Sequence, residues 1–359
     1  MNHRNTKGGL ALLLLVTLFA LAGCSPGAMV SPGWGGLGSH AGTLFAASSR
    51  GKIYALNPDS GVQKWVFPRS EKEAKGPFYS AVVGEGELVF VSSFGGTLYA
   101  LDAATGMERW VFEREEAFVG AAAIADGEVY VGNADGKVYA LDAGNGVLNW
   151  EFQTGSWIWS TPVVDGDRLY VASMDHKLYC LDRTSAGTKK WETVHEGGAI
   201  PGTPLLAEGT LYFGSLDSKI YAVNADTGRA RWQFETEGWN WGKPTLADGV
   251  LYAGSLDHRV YAIDAGTGTK QWDIELDGAV LADLTYADGI LYAATDAGTL
   301  YALDVSTRAS KWEFNLEGRI LSPPLLLGES VYVNSMEAGL YAVAAESGLQ
   351  RWVLPLDGK

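Results

Sequence analysis

The stretch TPVVDGDRLYVASMDHKLYCLD, Thr161 to Asp182, closed after a short turn by TKKWET, Thr188 to Thr193, decides the fold. Units of this kind carry four short β runs. The first is small and apolar, as in Thr161-Pro162-Val163-Val164. The second alternates, as in Leu251-Tyr252-Ala253-Gly254. The third reads like Lys137-Val138-Tyr139-Ala140-Leu141, and the fourth carries a Trp. Asp126-Gly127, Asp135-Gly136, Thr105-Gly106 and Thr267-Gly268 punctuate such runs. Period-two runs joined by Gly-bearing turns make antiparallel hairpins.

The unit recurs to the end of the chain. Its Trp returns at Trp65, Trp110, Trp150, Trp191, Trp232, Trp272, Trp312 and Trp352, and its Tyr at Tyr54, Tyr99, Tyr139, Tyr179, Tyr221, Tyr261, Tyr301 and Tyr341. A repeat array is one structure however long, so 359 residues do not imply two or three domains. One four-stranded meander cannot bury both faces alone, so its neighbours must cover it. Radial stacking does this, which predicts an all-β protein: a single eight-bladed β-propeller of four-stranded antiparallel blades over residues 34–359. A linear stack would need polar end caps, and the last unit looks like any other. The chain starts on an inner strand and ends on an outer one, which leaves no obvious strand exchange between the first and last blades, and the manner of closure stays open at this point. The repeated Trp and Tyr read as inter-blade packing. Asp102, Asp142, Asp182 and Asp304 precede turns and suit Asx bonds to amides two or three residues on. Asn57 and Asn224 can do the same and Ala344 cannot, which makes the last blade's turn the weakest.

The run YALDAATGMERW, Tyr99 to Trp110, resembles the PQQ-type propeller repeat, and the resemblance covers nearly everything after residue 34. It implies the eight-bladed fold. It also raises the quinoprotein dehydrogenases, which use PQQ and Ca²⁺. Those enzymes are similar in repeat but much longer, and they set a vicinal Cys-Cys pair against the quinone. The two cysteines here, Cys24 and Cys180, are far apart. Cys180 stands where other units have Ala and reads as a small core residue. Of the five histidines, His176 and His258 share one position in the turn between second and third strands, on the rim. The sequence shows no Ser/His/Asp set, phosphate loop or Cys/His cluster, so no catalytic residue, cofactor or metal is assigned.

The N-terminus carries Arg4 and Lys7, then an apolar run from Leu10 to Ala22 broken only by Thr17. It is too short to span a bilayer and suits a signal-peptide core. Leu21-Ala22-Gly23-Cys24 resembles the lipobox of bacterial lipoproteins. The resemblance implies a signal peptide over 1–23, acylation of Cys24 and a tether over 24–33, reaching at most ~35 Å. Several acyl chains anchor durably where one is marginal. Ser25, in place of Asp, leans toward the periplasmic face of the outer membrane in a cell with two membranes; otherwise the outer surface of the cytoplasmic membrane is expected.

Eight such blades behind a lipobox are similar to the lipoproteins of outer-membrane β-barrel assembly. This implies a non-enzymatic scaffold with a protein partner in the cell envelope, monomeric within a complex and bound to the membrane through its lipid. A small-ligand or glycan binder is the alternative. The net charge is −15 and falls to about −17 once Arg4 and Lys7 are removed. Such acidity argues against nucleic acid and against adsorption to anionic lipid.

Five Trp fall outside the repeat position: Trp34, Trp157, Trp159, Trp239 and Trp241. With the first strands aligned at Leu37, Ala81, Pro162 and Pro244, residues Trp34, Phe78, Trp159 and Trp241 share one register. Trp157 and Trp239 lie two residues upstream, and Phe118 is close by in its own blade. The expectation is an aromatic ring at one mouth of the central channel, binding a partner's side chains or a flat ligand. The alternative is that these rings plug the channel or pad the blades. One long charged loop, Pro68 to Gly76, interrupts the array.

Overall fold

The computed structural model describes residues 35–48, 50–69, 76–193 and 197–356. Cys24, the leader, the tether, Trp34 and the centre of the charged loop lie outside the described residues. The rest forms eight four-stranded antiparallel sheets, each made of four consecutive strands. We number them blades 1 to 8 in chain order. Blade 3 is representative, with strands Ala123–Ala125, Glu128–Gly132, Lys137–Asp142 and Leu148–Gln153, from inner to outer. Neighbouring blades cover both faces of the third strand, which is why Val138 to Leu141 are all buried. The outer strand has less cover: in blade 2, Trp110 and Phe112 are buried while Val111 and Glu113 are exposed.

The repeated aromatics are inter-blade mortar. Each repeat Trp is paired across the sheet with a small residue, as Ala100 with Trp110 and Cys180 with Trp191. A bulge follows directly, for example between Ala140 and Leu141. The indole then lies on the turn of the next blade. Trp110 rests on Gly146, where an added Cβ would stand 2.6 Å from the ring, and its Nε1 donates to the Ala143 carbonyl at 2.9 Å. Trp65, Trp232 and Trp312 donate in the same way to Ala103, Ala265 and Ala345. Blade 7 breaks the pattern, since Arg308 occupies the turn-glycine position with φ 58°.

The repeat Tyr has a polar task as well. Tyr179, Tyr221 and Tyr261 donate to Asp175, Asp217 and Asp257 at 2.6, 2.5 and 2.7 Å, and Tyr139 donates to Asp135. Burial first, then the carboxylate partner, pushes these phenols up. Two of the same carboxylates also take an amide from the connector that enters the blade: Gly155 N to Asp175 at 2.6 Å and Glu237 N to Asp257 at 2.8 Å. The packing aromatic thus fixes the connector that carries the candidate site.

The expected Asx bonds are present. Asp102, Asp142, Asp182, Asn224, Asp304 and Asn57 each accept amides two and three residues on. Ala344 has only the backbone bonds of its turn, to Leu349 and Gly348.

The ring closes without strand exchange between the described parts of blades 1 and 8. The seam repeats the standard interface. Trp352 lies on Gly61 and donates to the Pro58 carbonyl at 3.0 Å, and Tyr332 donates to the same carbonyl at 2.9 Å. Leu37, Leu44 and Leu56 share one buried cluster with Tyr332, Leu340 and Ala342.

Candidate binding site at the channel mouth

The connectors between blades and the turns between second and third strands share one face. Backbone bonds tie them together: Met174 N to Trp157 O at 2.8 Å and Leu256 N to Trp239 O at 2.9 Å. These bonds hold Trp157 and Trp239 on that face. Trp157 is 49% exposed. It stacks on Trp159 with ring centres 5.6 Å apart and planes 18° from parallel. Trp159 meets Trp241 at 5.7 Å. The second contact joins blade 4 to blade 6, and blade 5 contributes Pro201 and Gly202 to the same cavity lining. His176 and His258 sit exposed in turns on this face, in the same two blades.

Below the rings lies a cavity of about 200 Å³ that all eight blades line. Small residues recur where the chain enters each inner strand, among them Gly36, Ser80, Gly120, Gly202, Ala282 and Ser322. Close backbone approach requires them: a Cβ on Gly202 would stand 2.1 Å from the Trp241 carbonyl oxygen. One residue further on, side chains cap the neighbouring blade's amides. Ala121 N donates to Thr161 Oγ1 at 3.1 Å, Thr161 N to Thr203 Oγ1 at 3.0 Å, and Lys243 N to Asp283 Oδ1 at 2.7 Å. Burial pushes the Asp283 carboxyl up, against the pull of that amide and of Lys243.

The structure brings together Trp157, Trp159 and Trp241, and places Trp239 half-buried on the same face. It does not bring Phe78 or Phe118 to the mouth. Phe78 is 1% exposed and meets Tyr99 edge-on; Phe118 is fully buried against Phe112 and Tyr139. Both occupy the register of Ile158, one residue before that of Trp159. The residues truly equivalent to Trp159 are Tyr79 and Val119, and both line the cavity. Tyr79, with Phe94 against it at 5.0 Å, is a mouth aromatic that the sequence reading missed. The polar residues Asp283 and Ser322, which line the same cavity, were missed as well.

A second concavity of about 580 Å³ lies between blades 1 and 2, away from the mouth, among His40, Lys64, Glu87 and Asp102. His40 Nε2 contacts the Gly86 carbonyl at 2.8 Å and Lys64 donates to Thr43 at 2.7 Å, so both basic groups there are engaged. Among the described residues no three His, Cys, Asp or Glu side chains gather as a metal site, and no helix is long and apolar enough to cross a membrane.

Fold, repeat and mouth define an eight-bladed propeller of PQQ-type repeats. Within that class the chain belongs to the family described as outer membrane protein assembly factor BamB, whose model matches residues 25–198, 153–237, 186–279 and 256–358. Among solved structures it is similar to BamB from Moraxella catarrhalis, at 23% identity and a TM-score of 0.70, covering 85% of this chain and 91% of that one. It is as similar to the computationally designed Ika8 protein, at 15% identity and a TM-score of 0.72, over 91% and 97%. Both likenesses concern the fold alone. No curated protein matches the sequence.

Proposed function

We propose that this chain is a non-enzymatic scaffold of the cell envelope that supports outer-membrane β-barrel assembly. It is anchored by lipid at Cys24 and holds a protein partner at its Trp-lined mouth. Family membership supports the role. The observation that carries the site is the Trp157–Trp159–Trp241 run, since a half-exposed indole stacked on a fixed second ring suits an interface anchor. The short turns of every described blade support the non-enzymatic reading, because none carries an inserted domain.

A photo-reactive benzoylphenylalanine at position 157, in the source cells, tests this. It should cross-link to a component of the barrel-assembly machinery, while the same group at Val147 on the outer turns should not. Capture of no assembly component at 157 overturns the reading. Cys24→Ala should release the chain from the membrane fraction; retention would remove the lipid anchor. Thermal shift against a glycan panel separates the alternative of a sugar stacked on Trp157.

A further inference from the structure

Two polar groups at the mouth have capacity that the fold does not use. Asp283 Oδ1 caps the Lys243 amide at 2.7 Å. The hydroxyls of Thr161 and Thr203 do the same work for the amides of Ala121 and Thr161. A hydroxyl therefore suffices at this ring position, whereas a carboxylate brings a second oxygen and a charge. Among the described residues Lys243 is the one charged group that acts on Asp283, and it forms no ion pair with it. Sunken carboxylates are normally paired, because an unpaired one is costly to desolvate. In the next blade Ser322 is 2% exposed and lines the same cavity, and among the described residues its Oγ has no hydrogen-bond partner. Buried hydroxyls rarely stay unsatisfied. Blades 4 and 6 contribute Trp159 and Trp241 to the lining of that cavity.

We propose that this cavity receives a slender organic cation, an alkylammonium or alkylguanidinium group. Its charge meets the unused Asp283 oxygen and the Ser322 hydroxyl, and its stem lies along the rings of Trp159 and Trp241. Indole faces attract such cations. A volume of about 200 Å³ admits one side-chain-sized group and no folded loop. The acidity of the whole chain, −15, draws cations toward it. The source is either a Lys or Arg side chain of the partner or a free amine.

Calorimetric titration of the mature chain with n-butylguanidinium, n-butylammonium and neutral n-butanol tests the proposal. Both cations should bind saturably, more weakly as salt rises, and butanol should not. Asp283→Thr keeps an amide cap of the kind Thr161 and Thr203 provide, and should weaken cation binding by at least about tenfold without lowering the melting temperature. Asp283→Asn, which keeps an acceptor at Oδ1, should do the same, and Ser322→Ala should produce a smaller loss. Unchanged binding in folded Asp283→Thr or Asp283→Asn overturns the proposal, as does the absence of saturable binding to the wild type. A short peptide with a central Arg that outcompetes n-butylguanidinium assigns the cation to a partner side chain; a peptide that fails to compete assigns it to a free amine. The proposal rests on the mouth being the contact face. A chain that still cross-links at residue 157 but binds no cation loses the pocket and keeps the scaffold role.

Discussion

Gly146→Ala and Gly127→Ala form a matched pair within blade 3. Both glycines are left-handed, with φ +73° and +76°. A side chain in that region costs roughly 1–2 kcal/mol wherever it stands. The surroundings differ. A Cβ on Gly127 meets nothing within 4 Å, whereas one on Gly146 would stand 2.6 Å from Trp110 Cε3 and 2.7 Å from Cδ2. The indole has no easy retreat, since its Nε1 is held by the Ala143 carbonyl at 2.9 Å and its face packs on Phe90. Overpacking of this kind costs a further ~1–3 kcal/mol. Gly127→Ala should therefore lose about 1 kcal/mol and Gly146→Ala about 3 kcal/mol. Urea unfolding followed by Trp emission reads both as midpoint shifts at constant slope. In a Trp110→Leu background the extra loss at Gly146 should shrink, because the clash partner is gone. Equal losses at the two glycines would refute the account of the blade interface as indole on bare turn backbone.

Four further outcomes follow from the turns and the core. Ala344→Asp should stabilise the last blade by about 1 kcal/mol, by giving its turn the Asx bonds the other blades have; thermal melting checks this. Arg308→Gly should raise the melting temperature slightly, by relieving up to about 1 kcal/mol of left-handed strain. The Asp102 carboxyl is held at about 2, against an ordinary 3.8, by Arg109 first and Thr105 second; Asp182 is held at about 2 by Lys190 and Thr184. Carboxyls so lowered contribute stability that is full above 3.8 and lost as pH falls toward about 2. The Asp102→Asn/Asp182→Asn variant should accordingly show a flatter melting temperature across that acid window. Burial pushes the Cys180 thiol up to about 11, so thiol reagents at neutral pH should label it only on unfolding.

The blade count, the strand order and the inter-blade packing of the repeated Trp and Tyr were legible in the sequence; the Tyr-to-Asp hydrogen bonds were not. Every blade solves the same packing problem and repeats the solution. How the ring closes was not legible: the strand pattern offered no obvious exchange between first and last blades, and the packing of that seam emerged only in the structure. The mouth was half legible. Trp157, Trp159 and Trp241 announce themselves because blades 4 and 6 repeat an aromatic pair in matching connectors. Phe78 and Phe118 misled because the inner strands are only three residues long, as Val83–Glu85 and Ala123–Ala125 are. Strands so short fix their own register weakly, and a slip of one residue exchanges core for channel. Asp283 and Ser322 could not stand out from composition. Their meaning lies in a comparison that needs the register first: a carboxylate where Thr161 and Thr203 show that a hydroxyl serves.

The seam gives the last prediction. The residue two places before each turn between the second and third strands is small in seven blades, from Ala47 and Ser92 through Gly132 to Ala294. In blade 8 it is Asn334. That side chain is buried, and its Nδ2 donates across the seam to Gly35 O at 2.9 Å and Ala47 O at 2.7 Å. No other junction in the ring lacks a covalent connector, so no other junction needs such a clamp. Removing the amide leaves two buried carbonyls short of a donor, a cost of about 2–3 kcal/mol. Asn133 is a fair control, equally buried and donating to the Glu116 carbonyl at 2.8 Å, but inside the continuous chain. Native-state hydrogen exchange should show Asn334→Ala opening the strands of blades 1 and 8 ahead of the rest. Asn133→Ala should leave that order unchanged. The difference arises because local opening at the seam breaks one interface and no chain connection. If the two variants exchange alike, the seam is no weaker than any other junction, and Asn334 is an ordinary core amide rather than the clasp of the ring.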